Sequence, residues 1–546
     1  MPVHTIDNFD SFISVKNNWD SVYMRDRYAH FFLSWEWLSG WLTMIYEPWL
    51  ILAYSPAGSH DPVAFLTLKF TLDYGDDKRL ECELCMAGNS MADYTGLLCL
   101  PGYEQEAIKA FAQYILEQLK WSVFSLGNVL QSDPRVALLL RLFPGCDYGL
   151  TQIQTRNVGE ETNHDIIPYT ILTDTWDDYL SDRTSSNTRQ KIRRFLRKVD
   201  ASDELRIAET DVDNLDLHLE ILLDFWKSRW GEEKGEDCNA IMDYTREIII
   251  HCFQHDCLHF PVLWQGDRPL GAIANIVDNQ RKIILFFITG RDLVVKTPPP
   301  GLVLHAYAIR YAIQHGFKVY DFLRGNEEYK YSFGAQERHL KHIMVKPNHP
   351  RPCSLDARVV AWAFKLAVEQ QQANRLEEAK QGYRQILATK PDSPPVYNNL
   401  GYIYQQQGQW EKALTCYSKA LELLPDCTEA KINRDNARRR LAGHTPDPTD
   451  SKTDIGVSMN RQSQSAKGTS HARSSSCASS SKSSQGAGSY SVSVATSADG
   501  TSHAQQAVFT PGATSSRASA SASSQPVQAS ATASAPVEET SSPEAT

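Results

Sequence analysis

Residues 281–331 read RKIILFFITGRDLVVKTPPPGLVLHAYAIRYAIQHGFKVYDFLRGNEEYKY. The apolar run Ile283 to Ile288 has the length of a buried strand. A loop ending in three prolines, Pro298 to Pro300, follows it. Gly301 then opens a helical period whose apolar face is Leu302, Ala306, Ile309 and Ile313, and Gly316 stops it. Val319 to Leu323 is a second short strand with Asp321 inside it. The order is strand, loop, helix, strand. A helix start leaves backbone N–H groups unpaired and carries partial positive charge, so it suits a phosphate. The prolines have no N–H to offer. The expected donors are Gly301, Leu302 and Val303, and Gly301 lets a ligand approach the backbone closely.

The stretch before this unit reads as a meander. Pro261 to Trp264, Leu270 to Val277 and Lys282 to Thr289 are strands, turned at Gly266-Asp267 and Asp278-Asn279. Helices are expected over Asn187 to Val199, Leu215 to Trp230 and Ala240 to Phe253. The first of these is basic. Its apolar positions Ile192, Phe195, Leu196 and Val199 share one face, and its cations Arg189, Lys191, Arg193, Arg194, Arg197 and Lys198 lie off that face. They suit a solvated face or a polyanion. Residues 1–160 alternate short strands (Trp49 to Tyr54, Pro62 to Phe70, Thr95 to Leu100, Ser122 to Leu126) with helices at Phe32 to Met44 and Glu104 to Leu119.

Downstream the pattern changes. Ala367, Ala379, Tyr383 and Pro391 recur 34 residues later as Gly401, Ala413, Tyr417 and Pro425. That is the tetratricopeptide period, in which small residues let paired helices approach. Glu429 to Leu441 is the expected polar capping helix. From Gly443 onward Ser, Ala, Thr and Gln dominate, and apolar residues are too sparse to offset ordering entropy, so that stretch is expected to be disordered.

The net charge of −10 argues against general DNA or RNA binding. No apolar run approaches the length of a membrane span, and no charged-then-apolar leader opens the chain. Eleven cysteines without a framework fit a reduced, cytoplasmic protein. No metal is expected. His251, His255 and His259 lie four apart, but the third falls where a strand begins. Cys82 and Cys85 form a C-x-x-C without a partner pair.

Pro300-Gly301, His315-Gly316, Tyr320-Asp321-Phe322, Gly325 and Tyr329-Lys330, in that order, resemble the acyl-CoA-binding half of GNAT acyltransferases. The resemblance is strongest to the cellulose-biosynthesis-type acetyltransferases, related to the Fem peptidyltransferases, and extends from about Phe31 to Val345. It implies two GNAT-like α+β halves, 1–160 and 161–350; the first shows no good phosphate-cradling turn and is therefore assigned a structural and acceptor-shaping role. Repeats over 360–442 and the tail 443–546 complete the chain. It further implies that Pro300 to Val303 cradle the CoA pyrophosphate. Phe287, Ile288 and Thr289 would hold the pantetheine arm and the thioester oxygen. Asp321 is a candidate base or orienting carboxylate, with a purely structural role as the alternative. Tyr329 is a candidate proton donor to the CoA thiolate, and Lys330 a partner for phosphate or Asp321. The basic helix could meet the CoA ribose phosphate.

The expected activity is acyl transfer, in the first place acetyl, from acyl-CoA to an amine or hydroxyl of a small-molecule, saccharide or peptide acceptor, with the repeats docking a protein partner. Two alternatives stand beside it. One is Fem-like transfer from aminoacyl-tRNA. The other is an inactive transferase fold working through its repeats.

Overall fold

Two stretches of the chain are built on one plan and share one sheet. The computed structural model describes residues 2–88, 91–153, 162–349 and 354–443, together with the backbone of 494–496 and 502–504. The first stretch comprises β1 (Val3–Ile6), α1 (Phe9–Ser14), α2 (Lys16–Arg25), α3 (Trp35–Met44), β2 (Trp49–Tyr54), β3 (Ala64–Tyr74), β4 (Leu80–Met86), β5 (Leu98–Cys99), α4 (Glu104–Gln118), β6 (Val123–Leu130), α5 (Pro134–Leu140) and β7 (Tyr148–Ile153). The second comprises β8 (Ile166–Ile171), α6 (Trp176–Arg183), α7 (Ser186–Asp200), β9 (Leu205–Ala208), α8 (Leu215–Lys234), α9 (Cys238–Gln254), β10 (Leu258–His259), β11 (Val262–Gln265), β12 (Arg268–Asp278), β13 (Ile283–Arg291), α10 (Pro300–Gln314), β14 (Val319–Asp321), α11 (Glu328–Tyr331) and β15 (Gln336–Pro347).

From one edge of the sheet β1, β2, β3 and β4 run antiparallel, and α4 then carries the chain to β6, parallel to β4. From the other edge β9, β11, β12 and β13 run antiparallel, and α10 carries the chain to β14, parallel to β13. Helices fill the first gap of each array, α1 to α3 in one and α8 and α9 in the other. The parallel contacts match as well: Glu83 to Cys85 face Val123 to Ser125, and Ile283 to Leu285 face Val319 to Asp321. The two arrays are joined through β15. Its first residues pair with β8, and from Leu340 it pairs with β6 and β7. The internal duplication therefore sits inside a continuous sheet.

Alternation along β12 shows how the second array is sandwiched. Ile273 and Val277 pack with α7 and α10, whereas Ala272 and Ala274 pack with α8 and α9. Most expected elements form, with shifted ends: β3 runs on to Tyr74, and the Thr95 to Leu100 strand shrinks to two residues. The elements β1, α1, α2 and β15 lie outside the ranges read as strand or helix from the sequence.

The repeats are α12 (Val360–Gln372), α13 (Leu376–Thr389), α14 (Pro394–Gln406) and α15 (Trp410–Leu423), closed by α16 (Thr428–Leu441). Their 34-residue period is repeated in hydrogen bonding: Tyr383 donates to Gln371 at 2.8 Å and Tyr417 donates to Gln405 at 3.0 Å. The repeats share a core with the first array. Gln385 on α13 accepts from the Leu80 N–H and donates to the Leu80 carbonyl, both at 2.8 Å, so it acts as one more residue on the end of β4. The tail expectation falls outside the described residues, apart from the short ladder of β16 (Val494–Thr496) with β17 (Ser502–Ala504).

Candidate active site

β13 and β14 are paired only through Leu285 and Asp321, and beyond that point they separate. On the other side β13 stays paired with β12 to Arg291, but the register shifts: Ala274 faces Ile288 and Asn275 faces Phe286. Phe287 is the extra residue. A bulge of this kind turns a backbone group out of the ladder, and here it does so where the strands part. Phe287, Ile288 and Thr289 are half-buried along this open edge, and the Thr289 hydroxyl is tied back to the Ala272 carbonyl at 2.7 Å. Close approach of α8 holds β13 from behind. A Cβ at Gly290 would lie 2.7 Å from the Leu222 carbonyl oxygen.

The helix start of α10 follows. Pro299 caps it without a side-chain bond, and no acidic residue lies in its first turn. Among the described residues the N–H groups of Gly301 and Leu302 meet no acceptor. Val303 differs from expectation. Its N–H already donates to the Pro299 carbonyl at 3.2 Å, because that bond closes the first helical turn, and its side chain is buried. The free donors are thus Gly301 and Leu302. Open space lies where a Gly301 side chain would project.

Asp321 is 1% exposed, and both of its oxygens are engaged. Oδ2 accepts from the Tyr94 hydroxyl at 2.6 Å and from Arg338 at 3.3 Å, and Oδ1 accepts from the Leu323 N–H at 2.9 Å. Burial pushes its carboxyl pKa up, against the pull of Arg338 and Tyr94. Its guanidinium partner is Arg338. Arg324 pairs instead with Asp93 at 2.6 Å. Both contacts with Asp93 and Tyr94 cross from the first array to the second.

Lys330 corrects an expectation. Its ammonium donates to the carbonyls of Arg324 and Gly325, each at 2.9 Å, and pairs with Glu327 at 2.8 Å. An ammonium has three N–H donors, so none is left for a phosphate or for Asp321. Burial lowers its pKa, and Glu327 opposes that shift. Tyr329, one residue earlier, is 41% exposed, and burial together with the nearby Glu327 carboxylate pushes its hydroxyl pKa up.

Behind the cleft lies a polar chain that the sequence reading did not identify. Asn275 donates to the His259 carbonyl at 3.3 Å, which fixes its amide orientation. Its oxygen therefore accepts from the Tyr320 hydroxyl at 3.0 Å. Tyr320 in turn must accept from His305 Nδ1 at 3.1 Å, so His305 carries its proton on Nδ1. Burial pushes the His305 pKa down to about 3, consistent with a neutral ring. The available signal was a lone Asn in an apolar strand and a lone His on an apolar helix.

The apolar face of α7 packs with α10 as read, and its cations point outward; Arg193 pairs with Asp177 at 2.8 Å. His251 donates through Nε2 to the Glu36 carbonyl at 2.6 Å, while His259 stacks on Tyr311 at 3.8 Å. Among the described residues no three His, Cys, Asp or Glu side chains are grouped to hold a metal, and no helix is long and apolar enough to cross a membrane.

A parallel strand pair that opens at a bulge, followed by a helix whose first N–H groups are free, is a GNAT-like α/β arrangement. Comparison with known proteins agrees: residues 186–331 match the family model "Acetyltransferase (GNAT) domain" and residues 394–427 the tetratricopeptide repeat. The chain carries a GNAT-type acetyltransferase domain followed by a tetratricopeptide repeat. Among solved structures, it is similar to FemX at 10% identity and a TM-score of 0.44, over 62% of this chain and 96% of that one. A tandem GNAT protein from the clavulanic acid biosynthesis pathway gives 10% identity and a TM-score of 0.36, over 64% and 100%. The C-terminal domain of a putative lysylphosphatidylglycerol synthetase from Agrobacterium fabrum gives 9% and 0.36, over 61% and 91%.

Proposed function

We propose that this protein transfers an acyl group from acyl-CoA to an amine or hydroxyl acceptor, and that the second array alone binds the donor. The observation that carries this reading is the coincidence of three features within 20 residues of chain, from about Leu285 to Leu302: the parting strands, the bulge at Phe287 and the open helix start. Gly301 and Leu302 would bind the pyrophosphate through backbone N–H groups. The edge from Phe287 to Thr289 would pair with the amide groups of the pantetheine arm. The turned-out backbone at Phe287 would stabilise negative charge on the thioester oxygen as it develops.

The acceptor nitrogen or oxygen attacks the thioester carbon, a bond to carbon forms, and the carbon–sulfur bond breaks. Tyr329 is the proposed donor of the proton that the leaving thiolate takes. Asp321 has no free oxygen for the acceptor, so its proposed role is positioning: it holds Tyr94 and the Leu323 turn beside the cleft. The acceptor proton leaves to solvent, and solvent returns a proton to Tyr329. The repeats, fixed on the first array, would bring a protein partner to a set position.

Titration of the full chain with acetyl-CoA tests this reading. Binding at micromolar affinity, competed by free CoA, is expected. Failure of both acetyl-CoA and CoA to bind would overturn it.

A further inference from the structure

The wall facing the bulge comes from the other array. Trp37, on the first turn of α3, is 2% exposed and stands edge-on to Phe287, with ring centroids 6.4 Å apart and planes at 72°. Phe32 and Phe31 back it at 4.9 and 6.1 Å. The wall is rigid. The Ser34 hydroxyl accepts from the Trp37 N–H at 3.2 Å and starts the helix. One residue from Trp37, the Glu36 carbonyl is held by His251 of α9 at 2.6 Å. One turn on, Gly40 meets α9 so closely that a Cβ would lie 2.4 Å from the His251 ring. The indole is therefore clamped from both arrays. Its N–H is buried and meets no acceptor among the described residues.

We propose that Trp37 is the specificity-determining residue for the acyl group, admitting acetyl and excluding longer chains. The inference rests on the proposed function, which sets the thioester at the Phe287 bulge. An acyl chain extending past that point along the first-array side runs into a fixed aromatic face. Close-packed interiors do not yield to extra methylenes, and each methylene that a pocket refuses changes selectivity by roughly tenfold or more.

The test is titration of the full chain with CoA, acetyl-CoA and hexanoyl-CoA. Wild type should bind acetyl-CoA about as well as CoA, and hexanoyl-CoA at least ~10-fold more weakly. Trp37→Ala should tighten hexanoyl-CoA by at least ~10-fold and leave CoA within about twofold. Trp37→Leu, which keeps more of the apolar packing, should shift selectivity the same way by less, and serves if the alanine variant fails to fold. Equal binding of hexanoyl-CoA and acetyl-CoA by wild type would overturn the proposal. So would an unchanged ratio in a folded variant that still binds CoA. If wild type binds no CoA at all, the donor site itself is misassigned and both readings fall.

Discussion

α4 and α10 occupy equivalent places in the two arrays, and their first turns are opposites. Each follows an antiparallel set of four strands and leads to a parallel fifth. The first turn of α4 carries Glu104 and Glu106, and Glu104 bonds back to the Gly102 N–H at 2.8 Å. The chain places its own carboxylates at that helix start, with Glu106 accepting from the Tyr54 hydroxyl at 2.8 Å. The first turn of α10 has no acid and leaves two N–H groups open. The strands before them differ likewise: β3 and β4 keep one register over their whole contact, whereas β12 and β13 shift at Phe287. The two arrays share a topology, and only the second has a helix start without an acid in its first turn. The first array has taken other work. It carries the repeats on the end of β4, and its Trp37 and Tyr94 contact Phe287 and Asp321 of its twin.

The sharpest way to break this comparison is to close the second helix start as the first is closed. Gly301→Asp should remove two charge-assisted hydrogen bonds and add repulsion, weakening acetyl-CoA by about 2–5 kcal/mol, with little change in thermal stability because the site has room and an acid suits a helix start. Calorimetric titration of the variant decides it, and unimpaired binding would mean that the cradle lies elsewhere.

Acid should destabilise both arrays, since each buries a neutral histidine. Burial holds both His30 and His305 at about 3, whereas an unfolded histidine titrates near 6.5. Between those values the unfolded chain binds the extra protons. The stability contribution is therefore complete above pH 6.5 and is lost as pH falls toward 3, by about 2 kcal/mol per histidine at pH 5. Denaturant unfolding at pH 7 and pH 5 measures the loss. Equal stabilities at the two values would show that these rings are not buried and neutral.

Asp321→Asn probes the seam between the arrays. It removes the charge that Arg338 and Tyr94 share, and should cost about 2 kcal/mol of stability, the low side because Arg338 is partly exposed. Acetyl-CoA affinity should hold within about twofold, since the carboxylate touches no phosphate donor. Lost affinity at full stability would reverse that assignment. The smallest effect is expected for the pair Glu104→Gln with Glu106→Gln. Neutralising the first helix start should leave acetyl-CoA stoichiometry at one, and a second binding event would show that the first array kept a latent site.

Local pattern made the second cleft legible. Ile283 to Ile288, the proline loop and the Gly301 to Gly316 period each act over a few residues, and their order gave the β-α-β unit. What stayed hidden depends on distant pairing. Nothing near Gln336 signals that β15 will leave β8 and join β6, because Leu340 meets Leu130 from across the chain. Lys330 read as a partner for phosphate or Asp321 because its actual acceptors include backbone carbonyls, which any sequence supplies. Val303 read as a donor because the bond to Pro299 depends on where the helix begins. The bulge left only Asn275 as a trace, a polar residue in an apolar strand.

Hydrogen–deuterium exchange with and without acetyl-CoA tests the asymmetry most directly. Saturating acetyl-CoA should slow exchange in peptides spanning 283–303, with protection at Phe287 to Thr289 and at Gly301 and Leu302. Peptides spanning 83–108, the equivalent strand end and helix start of the first array, should exchange as before. Protection of 83–108, or none at 283–303 when acetyl-CoA is bound, would contradict the account.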